Sequence, residues 1–216
     1  MSPTAIVGRY RRVVRSIKFI VGHRYLRVIL TNPLVESATP TWFGPDRYDE
    51  DMEAPGHTDQ WLAVTDDVLP VGAIYEWCVQ PDCGAVVVFS GTVRDHADGR
   101  NDVTSLEYEA YTEAVVPVFQ QIVDETRRRF DGAKRIAILH RTGELTLGES
   151  SVVVAVSSAH RPVAFEAARF AIDAVKESAP IWKKENWSGG SDWGTGAHDI
   201  VSPQSVTSTQ SVSTKQ

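Results

Sequence analysis

Cysteine is nearly absent from the chain: its 216 residues hold two, Cys78 and Cys83. Two thiols cannot make a disulfide framework, so the fold must stand on packing, and a reducing cytosol is the default compartment. They are equally poor as the start of a zinc site. Four residues lie between them, there is no second cysteine pair, and His96 and His140 do not stand at ligand spacing from them. Long apolar runs are also missing. None approaches the roughly 20 residues that a transmembrane helix needs, so no membrane span is expected. Positive charge is not in excess: 22 Lys and Arg face 28 Asp and Glu, for a net charge of -6. That excludes nucleic-acid binding through a globally basic surface and leaves room for a local cationic pocket. No GxSxG and no P-loop occurs, and Gly189-Gly190 lacks the preceding strand and following helix of a dinucleotide loop.

What is present is uneven. Residues 1–30 carry seven Arg or Lys and no acid, whereas residues 31–60 carry seven acids and the single base Arg47. This asymmetry marks an extension rather than a core. An Arg-rich, acid-free start fits an organelle presequence as well as a weakly structured leader. A secretory signal fits poorly, because Lys18, His23, Arg24 and Arg27 break the apolar run. Pro33, Pro40, Pro45, Pro55 and Gly56 punctuate a linker. At the other end, VSPQSVTSTQSVSTKQ has no aromatic residue and too little apolar surface to offset its ordering entropy. The expected organisation is therefore a poorly ordered leader over 1–59, a working domain over 60–199 and a disordered tail over 200–216.

Within the domain, Trp61–Val64 predicts a short strand and Val71–Val79 a short helix. GAVVVFSGT, ending at Thr92, is an apolar β-branched run that predicts a buried strand, and the polar Arg94–Asn101 a loop. In Val103–Tyr111, Leu106, Tyr108 and Ala110 alternate with Glu107 and Glu109, the pattern of a half-buried strand. Thr112 is placed to cap a helix reaching about Phe130, with Val115, Val118, Phe119, Ile122 and Val123 on its buried stripe and Arg127–Arg129 in its last turn. Ala133–Arg141 and Ser151–Ser158 predict further strands, with Gly143 and Gly148 bracketing the turns between them. Pro162–Ser178 predicts the second long helix, and Pro180–Glu185 an extended return. Two long helices on one face of a mostly antiparallel sheet give an α+β class with a ferredoxin-like arrangement.

Three clusters carry candidate chemistry. Gly91-Thr92-Val93-Arg94 ends an apolar strand, and Ser157-Ser158-Ala159-His160-Arg161 joins a strand to a helix. The third is Lys176 followed by Pro180-Ile181-Trp182-Lys183-Lys184-Glu185. Strand ends and strand-to-helix junctions present side chains from rigid supports. Their common theme is convergent positive charge in an acidic chain. Arg94 and Arg161 offer planar forks for phosphate or carboxylate, and His160 stands where a helix N-terminus favours an anion. Plainer readings stand beside these. Arg94 fits a surface ion pair, His160-Arg161 a solvated corner, Lys183-Lys184 an exposed strand, and Lys176 the helix C-terminus that favours cations.

Taken together, FSGTVRDH (Phe89–His96), LEYEAY (Leu106–Tyr111), HRTGEL (His140–Leu145), VAVSSAHR (Val154–Arg161), AFEA (Ala164–Ala167) and APIWKKE (Ala179–Glu185) resemble the large, catalytic subunit of molybdopterin synthase. The resemblance runs from about Trp61 to Trp193 and leaves out the leader and the tail. It implies an α/β hammerhead fold with a ferredoxin-like part. It also implies a cytoplasmic homodimer carrying a small ubiquitin-like sulfur carrier at each end, as a heterotetramer. The carrier's C-terminal Gly-Gly, as a thiocarboxylate, would enter the large subunit and give two sulfurs to cyclic pyranopterin monophosphate, forming the molybdopterin dithiolene. No metal or other cofactor is implied. By the same resemblance Lys183 and Lys176 are the catalytic lysines. Thr92, Val93, Arg94, His160 and Arg161 line the substrate site, with Lys184 and Glu185 beside Lys183. Three other readings stay open: a non-catalytic module that binds the carrier, a hydrolase of a phosphorylated small molecule, and a nucleic-acid binder using the basic leader.

Overall fold

The computed structural model describes residues 15–21, 24–30, 52–97, 99, 101–194 and 200–207. The chain divides into two units, Met1–Pro45 and Asp46–Gln216. In the first, strands β1 (Arg15–Val21) and β2 (Arg24–Leu30) pair antiparallel, Arg15 opposite Leu30. The remainder of the expected leader up to Asp51 lies outside the described residues.

The second unit holds β3 (Gln60–Thr65), α1 (Val71–Cys78), β4 (Ala85–Thr92), β5 (Val103–Ala110), α2 (Thr112–Arg129), β6 (Ala133–Arg141), β7 (Gly143–Thr146), β8 (Ser150–Ser158), α3 (Arg161–Ser178), β9 (Ile181–Trp187) and β10 (Gly190–Trp193). They form two four-stranded sheets. One has the order β3-β6-β8-β4, with β3 parallel to β6 and the other pairs antiparallel; the second has the order β10-β9-β5-β7 and is antiparallel throughout.

The first sheet is covered on both sides, which explains its unbroken apolar runs. Ile136 and Ile138 of β6 and Val152, Val154 and Val156 of β8 pack with Val115, Phe119 and Ile122 of α2 and Ala167, Phe170 and Ala171 of α3. The alternate residues Ala137, Leu139, Val153 and Ala155 pack with Ile74, Trp77 and Cys78 of α1 and with Trp61. Alternation on a strand sends neighbouring side chains to opposite faces, so every position of such a strand must be apolar. A strand with one wet face cannot belong there, and the alternating β5 pairs with β9 and β7 instead.

The structure thus bears out the α+β class and corrects its detail. There are two sheets rather than one, and α1 covers the face opposite the two long helices. α2 starts at Thr112 with Tyr111 at the cap position and no side-chain cap, so the expected cap is displaced by one residue. α3 is preceded by His160 and carries Pro162 in its first turn. The start of the tail is packed, contrary to the composition reading. Arg129 donates to the carbonyls of Val206 (2.7 Å) and Gln204 (2.8 Å), the Val201 amide donates to Glu177 O at 3.1 Å, and Val206 is 1% exposed. Spaced apolar residues can anchor a polar segment when a neighbouring arginine satisfies its backbone. Residues 208–216 lie outside the described ones.

Candidate functional site

One face of the second sheet, the end of the first and the last turn of α3 enclose a cavity of about 680 Å³. That is the size of an ordinary small-molecule site. The register of β5 and β9 explains who lines it. Tyr108 stands opposite Lys183 and Leu106 opposite Glu185, and directly opposed residues share a face. All four face the cavity. The intervening pair, Glu107 and Lys184, faces away, with Lys184 Nζ 3.1 Å from Glu107 Oε2.

α3 supplies Ile172, Val175 and Lys176 from its C-terminal half. The Lys176 ammonium lies 5.9 Å from the centroid of the Phe89 ring, at the outer reach of a cation–π contact. β4 brings Phe89, Ser90, Gly91 and Thr92, and the chain beyond it brings Arg94 and His96. Gly91 sits tight against β8: a Cβ there would lie 2.8 Å from Val152 Cγ1. The Arg94 Nε–H donates to the His96 carbonyl at 2.9 Å, which orients the guanidinium. Lys183 Nζ is 2.7 Å from Glu185 Oε1, and Glu185 is buried. Three cations and one acid therefore line the cavity, a balance suited to an anionic ligand.

Of the nine expected site residues, Thr92, Arg94, Lys176, Lys183 and Glu185 come together in the cavity. Four do not line it. Lys184 is on the wrong face by strand alternation. Val93 turns inward at 3% exposure, pinned by its amide bond to Glu149 O and by the Gly148 amide on its carbonyl. His160 and Arg161 are exposed at the opposite end of α3 from Lys176.

The cavity residues that were not among the expected ones include Phe89, Tyr108 and His140. The signal for His140 was in the sequence. It continues the period-two row Ile136, Ile138 with a polar residue where an apolar one would serve packing. Its Nδ1 is 2.8 Å from the carbonyl of Arg141, and its ring meets Tyr108 edge to face at 5.0 Å. Burial lowers its pKa to about 4, opposed by the bond to the Arg141 carbonyl. Outside the cavity, burial pushes the Cys78 thiol up to about 12, with Arg135 pulling the other way.

A second, narrower cavity of about 180 Å³ adjoins the first and shares Lys176, Ala179, Ile181 and Lys183 with it. Trp182, Trp193 and Ile200 stand exposed along it. Among the described residues no cluster of His, Cys, Asp or Glu is arranged to hold a metal ion, and no helix is long and apolar enough to cross a membrane.

Fold and cavity define an α+β protein with a cavity of small-molecule size lined by two lysines and an arginine. The family is more specific. The family model of the MoaE protein matches residues 64–178, more than half of the chain, and the chain belongs to that family. It is 50% identical over 130 residues to the molybdopterin synthase catalytic subunit of a Nostoc species, covering 60% of this chain and 78% of the relative. It is 38% identical over 164 residues to that of Homo sapiens, covering 76% and 84%. The crystal structure of molybdopterin synthase from Staphylococcus aureus superposes with a TM-score of 0.57 at 38% identity, over 61% of this chain and 94% of that one.

Proposed function

We propose that the chain is a sulfur-transferring catalytic subunit of molybdopterin synthase, acting in the cytoplasm. It would convert cyclic pyranopterin monophosphate to the dithiolene pterin with sulfur from a thiocarboxylated carrier. The observation that carries this reading is the position of Lys176 and Lys183, which line both the large cavity and the narrow one beside it. The large cavity suits the phosphorylated pterin. The narrow one suits an extended Gly-Gly terminus, which has no side chains to accommodate, and the exposed Trp182 and Trp193 offer the carrier an apolar landing. The sulfur arrives on the carrier, so the reading calls for no metal or organic cofactor.

Each of two thiocarboxylate sulfurs forms a bond to a substrate carbon as that carbon gives up a bond to oxygen, the oxygen leaving as water or staying on the phosphate as its cyclic ester opens. Water then breaks the acyl C–S bond, and the carrier leaves as its carboxylate. The nucleophile comes with the carrier, so the protein's share is positioning, charge stabilisation and proton transfer. Lys183, held by Glu185 at 2.7 Å, is placed to stabilise the oxyanion formed as the acyl group is attacked. Lys176 would assist proton transfer or share the developing oxyanion, and Arg94 would hold the phosphate, with Thr92 at the rim. His160 and Arg161 are separated from Lys176 by most of an 18-residue helix, so they reach a substrate site only from a second copy of the chain. We therefore read the active assembly as a homodimer, each copy completing the other's site, with one carrier on each.

Reconstitution tests the reading. The purified chain, a thiocarboxylated carrier and cyclic pyranopterin monophosphate are mixed, and the dithiolene pterin is followed by mass spectrometry. The parent is expected to form product, and Lys183→Ala and Lys176→Ala at least about a hundredfold less, the scale of losing a transition-state donor. A folded parent that binds carrier and makes no product overturns the catalytic reading.

A further inference from the structure

We propose that His140 reads the heterocycle of the substrate, its Nε2 accepting a hydrogen bond from a ring N–H or amino group; this rests on the function proposed above. The tautomer follows from one contact. The carbonyl of Arg141 can only accept, so Nδ1, 2.8 Å from it, carries the hydrogen. Burial keeps the ring neutral, and a neutral ring protonated at Nδ1 presents a bare lone pair at Nε2. Among the described residues Nε2 has no hydrogen-bond partner, although His140 is only 6% exposed. Among the described residues Ser178 Oγ is the fully buried side-chain polar atom without a partner, so Nε2 keeps access to the cavity it lines, and packing alone would be served better by another isoleucine.

The neighbouring groups sharpen the inference. The Tyr108 ring meets the imidazole at an interplanar angle of 69° and fixes its plane. Ser151, on the same cavity wall, donates its hydroxyl hydrogen to Gly91 O at 3.1 Å and so is left with acceptor capacity. Arg94, Lys176 and Lys183 carry the donors. The substrate's cyclic phosphate diester, which has no P–OH at neutral pH and only accepts, suits the cations and gains nothing at His140. The ligand must bring a donor of its own, and the aminopyrimidinone edge of a pterin has both a ring N–H and an amino group. The cavity would then orient its ligand, phosphate toward the cations and amino edge toward β6.

Two variants of the full chain separate this from a packing role. His140→Asn keeps a donor near the Arg141 carbonyl and withdraws the acceptor. His140→Gln carries an amide oxygen to about the position of Nε2. Calorimetric titrations use three probes: cyclic pyranopterin monophosphate, a phosphate-free pterin and inorganic phosphate. We expect His140→Asn to weaken both pterins about tenfold or more, the loss of one buried hydrogen bond, and to leave inorganic phosphate unchanged. His140→Gln should recover much of the loss. Parent-like pterin binding by His140→Asn overturns the inference alone, provided the parent binds and converts substrate. So does an equal loss of pterin and phosphate binding, which marks a collapsed pocket. A parent that binds neither pterin overturns the functional reading and this inference with it.

Discussion

His140 also sets how the protein answers to acid. Its pKa lies at about 4 in the fold, against 6.5 for a free side chain. Between those values the unfolded chain takes up a proton that the folded chain refuses. Stability is therefore whole above pH 6.5 and falls as the pH drops toward 4, by roughly 3 kcal/mol at most. Glu125 adds a later stage. The guanidinium of Arg128 and then that of Arg129 hold its carboxyl at about 2, below the ordinary 4.5, so its contribution is lost as pH falls from 4.5 toward 2. Thermal melts from pH 7.5 to 4 should show a steeper fall for the parent than for His140→Asn, which has nothing to titrate at that position. Parallel curves would remove His140 from the account. The cysteines make a plainer case. Burial raises the Cys78 thiol to about 12, so iodoacetamide at pH 8 should leave it unmodified in the native chain and label it once the chain is denatured.

Among the elements, the junction of β8 with α3 is closely packed. A Cβ on Gly84, just before β4, would lie 2.8 Å from the carbonyl oxygen of Ala159, backbone against backbone with no flexible atom to yield. Gly84→Ala should cost about 1–3 kcal/mol in urea unfolding, the scale of overpacking a close contact. It would also disturb the turn that carries His160 and Arg161. Gly72, early in α1, is the control: a Cβ there meets nothing within 4 Å, so Gly72→Ala should be neutral or stabilising by up to about 1 kcal/mol. A destabilisation of equal size at both sites would refute the steric account. This scale also shows what the sequence could reveal. β8 and α3 were legible because long apolar runs and a period of 3.6 are local signals. The separation of Lys183 from Lys184 was not, since alternation says that the two differ in face and only the pairing with Tyr108 says which face is the cavity. The packed tail was missed for a related reason. Composition averages over a segment, and Val206 is held by Arg129 from 77 residues away.

For the whole molecule the decisive matter is whether one chain holds a complete site. Arg161 begins α3 and Lys176 lies in its last turn, so about 22 Å of helix separates them at 1.5 Å per residue. No rearrangement of side chains closes that distance within one copy. A twofold dimer does so without strain if the start of α3 in one copy faces the cavity of the other, because the symmetry then completes both sites at once. Mixing experiments decide between the alternatives. Arg161→Ala and Lys183→Ala should each be nearly inactive alone. In a mixed dimer one site combines Lys183 of the first chain with Arg161 of the second, both intact, and the other site carries both substitutions. Random exchange makes half of the dimers mixed, each with one working site of two, so about one quarter of the parent rate should return on mixing. If both residues served the cavity of their own chain, every site would keep one defect and no activity would return. Recovery near one quarter in the sulfur-transfer assay would assign Arg161 to the neighbouring copy's site, and the absence of recovery would exclude a shared one.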